Sequence, residues 1–256
     1  MRRFEARSEG ALTLIRSRAD LDAYVKKRSA CIASGAASCP YTAGLLGVEG
    51  AHALEGDLRN LDVLYDAGFR LIGLQHFADN HAGGSAHGEE RGGLTPWGRE
   101  LIAAMEAKGM VLDLAHSSAA VIADVLAMPG KRPFVISHTG AGAVCAGQEE
   151  RALSDDQLRA VAAAGGLVGL GYWREVTCGG TVDAIADAIM HVVSVAGAKH
   201  AALGSDWDGG TAMPPGLDAA GTAQVTAALR ARGLAGQDLE DVVGGNALRV
   251  FTASLK

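Results

Sequence analysis

Short apolar runs alternate with stretches of helical periodicity along most of this chain, and no other feature constrains the fold as strongly. Six runs of strand length follow one another: "LLGVEG" (45–50), "RLIGLQH" (70–76), "MVLDLAH" (110–116), "PFVISHT" (133–139), "GLVGLGY" (166–172) and "HAALGSD" (200–206). An earlier unit, "ALTLIRS" followed by "RADLDAYVKKRSA", adds a seventh strand and its helix. This alternation predicts an α/β fold with a parallel sheet, either open or closed into a (β/α)8 barrel of the TIM type. Seven units are one fewer than the eight that close such a barrel.

Length, composition and charge narrow the protein class. The 256 residues are 48% hydrophobic and only 5% aromatic, which fits a single domain over residues 1–256 with an aliphatic core. A net charge of -6 argues against nucleic acid or an anionic membrane as the main partner. No apolar stretch approaches the roughly 18 residues of a membrane-spanning helix. We therefore expect a soluble, cytoplasmic protein without a membrane segment.

Chemically reactive side chains recur where these strands end. In chain order the strand ends give Glu49, His76, His116, His138, Tyr172 and Asp206. The C-terminal ends of barrel strands meet at one mouth, so these side chains are expected to converge. Imidazole and carboxylate groups are ligands of Zn²⁺, which lowers the pKa of water enough to supply hydroxide near neutral pH. The pattern therefore favours metal-assisted hydrolysis of an amide.

Other polar residues have simpler interpretations. Asp113 is offset from His116 and is expected to support the ligands from outside or to be structural, rather than to be a ligand. His81 and His87 lie in a polar loop where solvated side chains are the default, with substrate contact as the alternative. The predicted helix and turn positions of His52, His191 and His200 suggest that they are inert. The chain contains neither a GxxxxGK[ST] phosphate loop nor a GxSxG nucleophile motif, which argues against nucleotide binding and serine hydrolase chemistry.

Eight ordered motifs resemble one known family. They are "GVEGAHAL", "LQHFADN", "GSAHG", "GGLTPWGRELI", "GMVLDLAHSS", "VISHTGA", "LGSDWDGG" and "GGNALRVF". In this order and from about residue 41 onward, the chain resembles the membrane (renal) dipeptidases, peptidase family M19, which are metal-dependent hydrolases with a barrel fold. The resemblance implies a zinc-dependent enzyme that hydrolyses dipeptides with a metal-activated water.

The resemblance also implies metal ligands. The glutamate of the GVEG motif, here Glu49, bridges two zinc ions in the family, and the histidines of the DLAH and ISH motifs complete the second zinc site. These histidines correspond to His116 and His138.

Catalytic and substrate-binding roles follow from the same resemblance. His76 is expected near the substrate carbonyl, with Asn80 close by, and Arg151 is expected to bind the substrate carboxylate. Asp206 corresponds to the aspartate that accepts a proton from the metal-activated water. Asp208 is less suited to that role because it lies beyond the strand end.

One family motif is absent. The first family strand ends in a His-x-Asp motif that supplies the remaining zinc ligands, and no HxD occurs in this sequence. We interpret this, together with the count of seven units, as a missing first strand, through loss from the gene or through a start codon set inside a longer frame. Zn²⁺ is thus expected at one fully represented site, with weak or undetectable dipeptidase activity. The alternatives are a catalytically impaired metal-binding pseudoenzyme, or another amide or lactam hydrolase on the same barrel.

Two further expectations concern the cysteines and the oligomer. Cys31, Cys39, Cys145 and Cys178 show no CxxC spacing, so a structural zinc site of the zinc-finger type is not expected. Secreted family members pair two cysteines at places similar to Cys145 and Cys178, but the lack of an export signal predicts free thiols here. By resemblance, the chain is expected to form a homodimer.

Overall fold

A computed structural model describes residues 1–129, 133–147, 150–209 and 212–256. The strands in these ranges are β1 (Leu12–Leu14), β2 (Thr42–Gly44), β3 (Leu46–Val48), β4 (Phe69–Gly73), β5 (Val111–Asp113), β6 (Phe134–Ala141), β7 (Ala152–Leu153), β8 (Leu167–Leu170) and β9 (Ala201–Leu203). All the predicted strands are present, while the short β2 and β7 were not expected.

Helices connect most of these strands. They are α1 (Arg2–Arg7), α2 (Arg18–Ala33), α3 (Arg59–Ala67), α4 (Pro96–Lys108), α5 (Ala119–Ala127), α6 (Asp155–Ala163), α7 (Arg174–Thr177), α8 (Val182–Ala196), α9 (Thr222–Ala231), α10 (Gly236–Glu240) and α11 (Asn246–Ser254). Three 3₁₀ turns (Ala51–Leu54, Ala198–His200, Ala219–Gly221) and a π-helical turn (Asp241–Gly245) complete the set. None of the helices in the described ranges is long and apolar enough to cross a membrane.

The main sheet is parallel throughout. Its strands lie in the order β3-β4-β5-β6-β8-β9, and β7 pairs with the end of β6. Among the described residues β9 and β3 do not pair with each other, so the sheet is not closed. The mixed α/β architecture with a parallel sheet confirms the predicted fold class.

The first predicted strand lies outside this sheet, which corrects the simple count of seven equivalent units. β1 pairs with β2 in a separate two-stranded parallel sheet. The extended segment from Thr42 to Val48 is interrupted at Leu45, so its first half pairs with β1 and its second half with β4. Six of the seven predicted strands therefore belong to the main sheet, and its remaining strand is the short β7, which was not expected.

Two apolar layers hold the sheet. One face carries Val111, Val135, Leu167 and Ala202, which pack against Val250 of α11. A larger cluster fills the space between the other face and the surrounding helices. The strands also approach one another closely, because a Cβ at Gly169 would collide with the carbonyl oxygen of Ser137.

Helix capping follows the predicted signals. Thr95 precedes Pro96 and its hydroxyl accepts a hydrogen bond from the Gly98 amide. Ser154 caps α6 and forms a reciprocal capping box with Gln157. These local signals therefore place the starts of α4 and α6 correctly.

The cysteines are paired, and the prediction of free thiols was wrong. One disulfide joins Cys31 to Cys39 and the other joins Cys145 to Cys178, so no cysteine is free in the described residues. No local sequence pattern indicated that the members of each pair lie close together in the fold. The cytoplasmic location stays a prediction from the sequence.

The two disulfides close loops of different length, and we expect their contributions to stability to differ. Replacing Cys145 and Cys178 by Ser, across a separation of 33 residues, should lower the free energy of unfolding by roughly 4 kcal/mol. The same change at Cys31 and Cys39, separated by 8 residues, should cost roughly 2.5 kcal/mol. Urea unfolding of the oxidised variants measures both values. An equal or reversed order would contradict this prediction.

Candidate metal and substrate site

Three predicted ligands meet at the ends of neighbouring strands. Glu49 follows β3 directly, His116 lies three residues beyond β5, and His138 lies within β6. The Nε2 atoms of the two histidines are 3.0 Å apart. Oε1 of Glu49 lies 3.0 Å from Nε2 of His116 and 3.1 Å from Nε2 of His138. The three donor atoms thus form a compact triangle.

Local backbone geometry turns two of the site residues out of their strands. His116 has a φ of 61° and Asp206 a φ of 59°, a left-handed conformation that is uncommon for residues other than glycine. Such backbone outliers concentrate at functional sites, where the surrounding structure holds them. The amide of Ala86 donates to the carbonyl oxygen of His116 at 2.7 Å, and a Cβ at Gly209 would collide with the Asp206 carboxylate.

The ionisation of the triangle suits metal binding. Hydrogen bonds from His116 and His138 hold the pKa of Glu49 well below its usual range, despite its partial burial. Burial lowers the pKa of His116 to about 4, against the opposing effect of Glu49. A carboxylate and a neutral imidazole are the protonation states that a metal ion requires of its ligands.

The donor set fits a divalent ion such as Zn²⁺. Zinc bonds of about 2.0–2.1 Å in a tetrahedral arrangement separate neighbouring donors by roughly 3.3 Å, close to the spacing of the triangle. Nδ1 of His116 is buried without a hydrogen-bond partner among the described groups. Glu49, His76 and His116 also place donor atoms within 4.8 Å of one another, so His76 is a second candidate for the third ligand.

A cleft of ≈ 450 Å³ opens above the triangle. Its walls include all the predicted site residues except His138 and Asn80; they are Glu49, His76, Phe77, His87, His116, Arg151, Trp173, Glu175, Asp206, Gly209 and Ala212. Nε2 of His76 lies 3.7 Å from Oε2 of Glu49, on the exposed side of the carboxylate. A ligand in the cleft would thus contact the metal donors, an arginine and a carboxylate together.

Arg151 brings a largely buried positive charge to this cleft. Its carbonyl oxygen accepts hydrogen bonds from the Gly140 amide and the Thr139 hydroxyl, and its guanidinium carbon lies 5.6 Å from the centroid of the Trp173 ring. Burial lowers the pKa of Arg151, and the negative charges of Asp206, Glu49 and Asp113 oppose that effect.

Asp206 brings a negative charge to the same cleft. Burial raises the pKa of the Asp206 carboxyl and nearby Glu49 adds to the effect, while His138, Arg151 and His76 oppose it. A carboxylate with a raised pKa is a better proton acceptor than a solvated one.

Asn80 is placed differently from its predicted neighbours. Its side-chain amide donates to the carbonyl oxygen of Leu74, and its oxygen accepts from the Ala82 amide. It lines an adjacent cavity of ≈ 690 Å³ rather than the cleft. The arrangement gives Asn80 a part in shaping the loop, and its role in substrate binding stays a prediction.

Phe77 was missed as a site residue by sequence reasoning, and His87 was expected to be solvated, with substrate contact as the alternative. The His87 ring centroid lies 5.6 Å from that of His116, and Phe77 packs against both rings although it is 59% exposed. Burial lowers the pKa of His87, and its Nε2 atom is buried without a partner among the described groups. The position of Phe77 directly after His76 was the one sequence signal that could have marked it as a site residue. No local signal marked His87, because its position depends on the fold of the 77–95 loop.

Hydrogen bonds hold that loop over the strand ends. The Asp79 carboxylate accepts from the amides of Ser85 and Glu90, and the Ser85 hydroxyl donates to the carbonyl oxygen of His76. Ser118 donates its hydroxyl to the carbonyl oxygen of Gly92. Phe77 and His87 of this loop therefore form a wall of the cleft, while His81 is exposed as expected.

Comparison with known proteins identifies the family of the chain. The sequence profile described as "Membrane dipeptidase (Peptidase family M19)" matches residues 25–255. The dipeptidase aclJ of Aspergillus oryzae is 34% identical over 215 residues, which cover 81% of this chain and 50% of that protein. The chain thus spans about half the length of the curated relatives it matches.

Solved structures give the same result. The dipeptidase AC, a metallopeptidase of family M19, superposes with a TM-score of 0.82 at 25% identity, covering 98% of this chain and 72% of that one. A metallopeptidase from Rhodobacter sphaeroides, bound to a phosphinate mimic of the dipeptide L-Ala-D-Ala, has a TM-score of 0.81 at 25% identity, covering 98% and 71%. The fold, the profile match and the relatives agree: this chain belongs to the membrane dipeptidase family, peptidase family M19.

Proposed function

We propose that this chain binds one zinc ion and hydrolyses dipeptides, with Glu49, His116 and His138 as the metal ligands. The observation that carries the proposal is the triangle of one carboxylate oxygen and two imidazole nitrogens, 3.0–3.1 Å apart, in a cleft that also contains Arg151 and Asp206. The complex of the Rhodobacter sphaeroides relative with a dipeptide mimic supports a dipeptide as the substrate.

A zinc ion held by these ligands would lower the pKa of water and so supply hydroxide near neutral pH. The remaining chemistry is carried out by the chain's own residues. Asp206 accepts the proton that the attacking water loses and returns it to the amine nitrogen as the C–N bond breaks. His76 donates a hydrogen bond to the carbonyl oxygen as negative charge develops there. Arg151 binds the free carboxylate of the dipeptide and so fixes the scissile bond in the cleft.

A second candidate is hydrolysis of another amide or lactam at the same metal site. A metal site determines the type of reaction more than the choice of substrate. The cleft is open near Glu49, whose side chain is 45% exposed, and so leaves room for substrates other than dipeptides. A metal-binding protein with impaired turnover is the third alternative, since this sequence contains no HxD motif. The homodimer stays a prediction from resemblance, which sedimentation would test.

Metal content tests the ligand assignment without reference to activity. After zinc loading and removal of free ions, about one zinc per chain should remain, because the described donors form one ligand set. His138→Ala should lose most of this zinc. His191→Ala is the matched control, because His191 bonds to Asp155 between α6 and α8 and should leave zinc unchanged. Elemental analysis that finds no zinc in the wild-type chain would refute the site.

Arg151 distinguishes dipeptides from substrates without a free carboxylate. Arg151→Ala should raise KM for dipeptides by roughly 10- to 100-fold, the value of a charge-assisted hydrogen bond, and leave the KM of dipeptide amides nearly unchanged. Arg159→Ala, an exposed arginine of α6, should change neither KM. Steady-state kinetics measure both substrates, and equal effects on acid and amide would favour the alternative hydrolase.

Asp206 should act on the chemical step. Asp206→Asn should lower kcat by roughly 10²- to 10⁴-fold, as expected for loss of a general base, and keep the zinc content of the wild type. Asp208→Asn is the matched control because Asp208 is exposed and does not line the cleft. A normal kcat in Asp206→Asn would show that another group accepts the proton.

A further inference from the structure

We propose that Asp113 is the positioning residue of the metal site, because one oxygen of its carboxylate fixes the backbone directly ahead of both imidazole ligands. The inference rests on the proposed function in that the two imidazoles are taken as ligands. It gives a specific role to a residue for which the sequence left open either support of the ligands or a structural role.

The geometry is specific. Oδ1 of Asp113 accepts hydrogen bonds from the amide of Ala115 and from the amide of Ser137, each at 2.9 Å. Ala115 immediately precedes His116, and Ser137 immediately precedes His138. A single acceptor atom therefore links the two chain segments that carry the ligands.

Regular sheet pairing does not supply this link. The register of β5 with β6 covers only two residue pairs, Leu112 with Phe134 and Asp113 with Val135. Beyond them the amide of Leu114 bonds to the carbonyl oxygen of Val135, and the chain then turns away from the strand direction at His116, which has a positive φ. The Asp113 side chain thus joins β5 to β6 beyond the point where their backbone hydrogen bonds end.

Asp113 is also well anchored for this task. It is 5% exposed, and its own carbonyl oxygen accepts from the Leu74 amide, which follows β4. A buried carboxylate is costly unless it is hydrogen-bonded, and the two amide donors meet that requirement. Because Oδ1 is already shared by two backbone amides and the residue does not line the cleft, Asp113 holds the ligands rather than acting as one of them.

The contact between the ligands depends on this arrangement. The imidazole nitrogens of His116 and His138 lie 3.0 Å apart, so a small shift between β5 and β6 would separate them. Groups that orient metal ligands from outside typically contribute a 10- to 100-fold effect on metal affinity.

The test compares zinc affinity, measured by competition with a chelating dye, in two substitutions at the same position. Asp113→Ala removes the acceptor and should weaken zinc binding by roughly 10- to 100-fold. Asp113→Asn keeps an oxygen that can accept from both amides and should stay within about threefold of the wild type. The visible spectrum of the cobalt-loaded protein should change in Asp113→Ala and be preserved in Asp113→Asn.

A matched control separates positioning from general destabilisation. Leu101→Ala removes a fully buried side chain of α4, away from the ligands, and should destabilise the fold with wild-type zinc affinity. If Asp113→Ala fails to fold, Asp113→Ser replaces it: the shorter hydroxyl reaches the local Ala115 amide but not Ser137, and zinc affinity should still fall.

Imidazole ¹⁵N NMR of the metal-free protein provides a readout that does not depend on zinc. Wild type and Asp113→Asn should show one matching set of His116 and His138 signals, and Asp113→Ala should shift or split them. A folded Asp113→Ala with wild-type affinity and signals would overturn the inference, as would an Asp113→Asn as impaired as Asp113→Ala. A wild type that binds no zinc would instead overturn the proposed function, and the imidazole signals would still decide the role of Asp113.

Discussion

The parallel pairing of β5 with β6 is the interaction on which the site depends. It sets His116 beside His138, and the neighbouring pairing of β3 with β4 brings Glu49 to the same end of the sheet. All the strands of the main sheet run in one direction, so the residues at their C-terminal ends lie at the same edge of the sheet. The strand pairing alone brings these residues together. Close strand packing, helped by Gly169, keeps that end compact.

Charge balance is the second constraint. The cleft holds the carboxylates of Glu49 and Asp206 and the guanidinium of Arg151, all partly or largely removed from water. The positive charge offsets the carboxylates, and hydrogen bonds from the imidazoles keep Glu49 ionised. A bound divalent cation, as proposed, would offset the remaining negative charge.

The segment between β4 and α4 converts the strand ends into a cleft. Asp79 and Ser85 fix its backbone, Asn80 shapes its turn, and His87 and Phe77 then form a wall next to the proposed metal ligands. The proposed role of Asp113 operates at the ends of β5 and β6, outside the lining of the cleft. Asp79 and Asp113 both accept hydrogen bonds from backbone amides, so each affects the position of the reactive groups rather than their chemistry.

By itself, the sequence determined the α/β class, the positions of the strands, the starts of α4 and α6, and the residues at the strand ends, because these depend on periodicity and on capping within a few residues. Only the tertiary structure decided that β1 pairs with β2, that the cysteines form two disulfides, and that His87 lines the cleft. The same holds for Asp113, whose decisive partner Ser137 is 24 residues away on the next strand. Such contacts join positions that no local pattern relates, and they become visible only when the strands have their order and register.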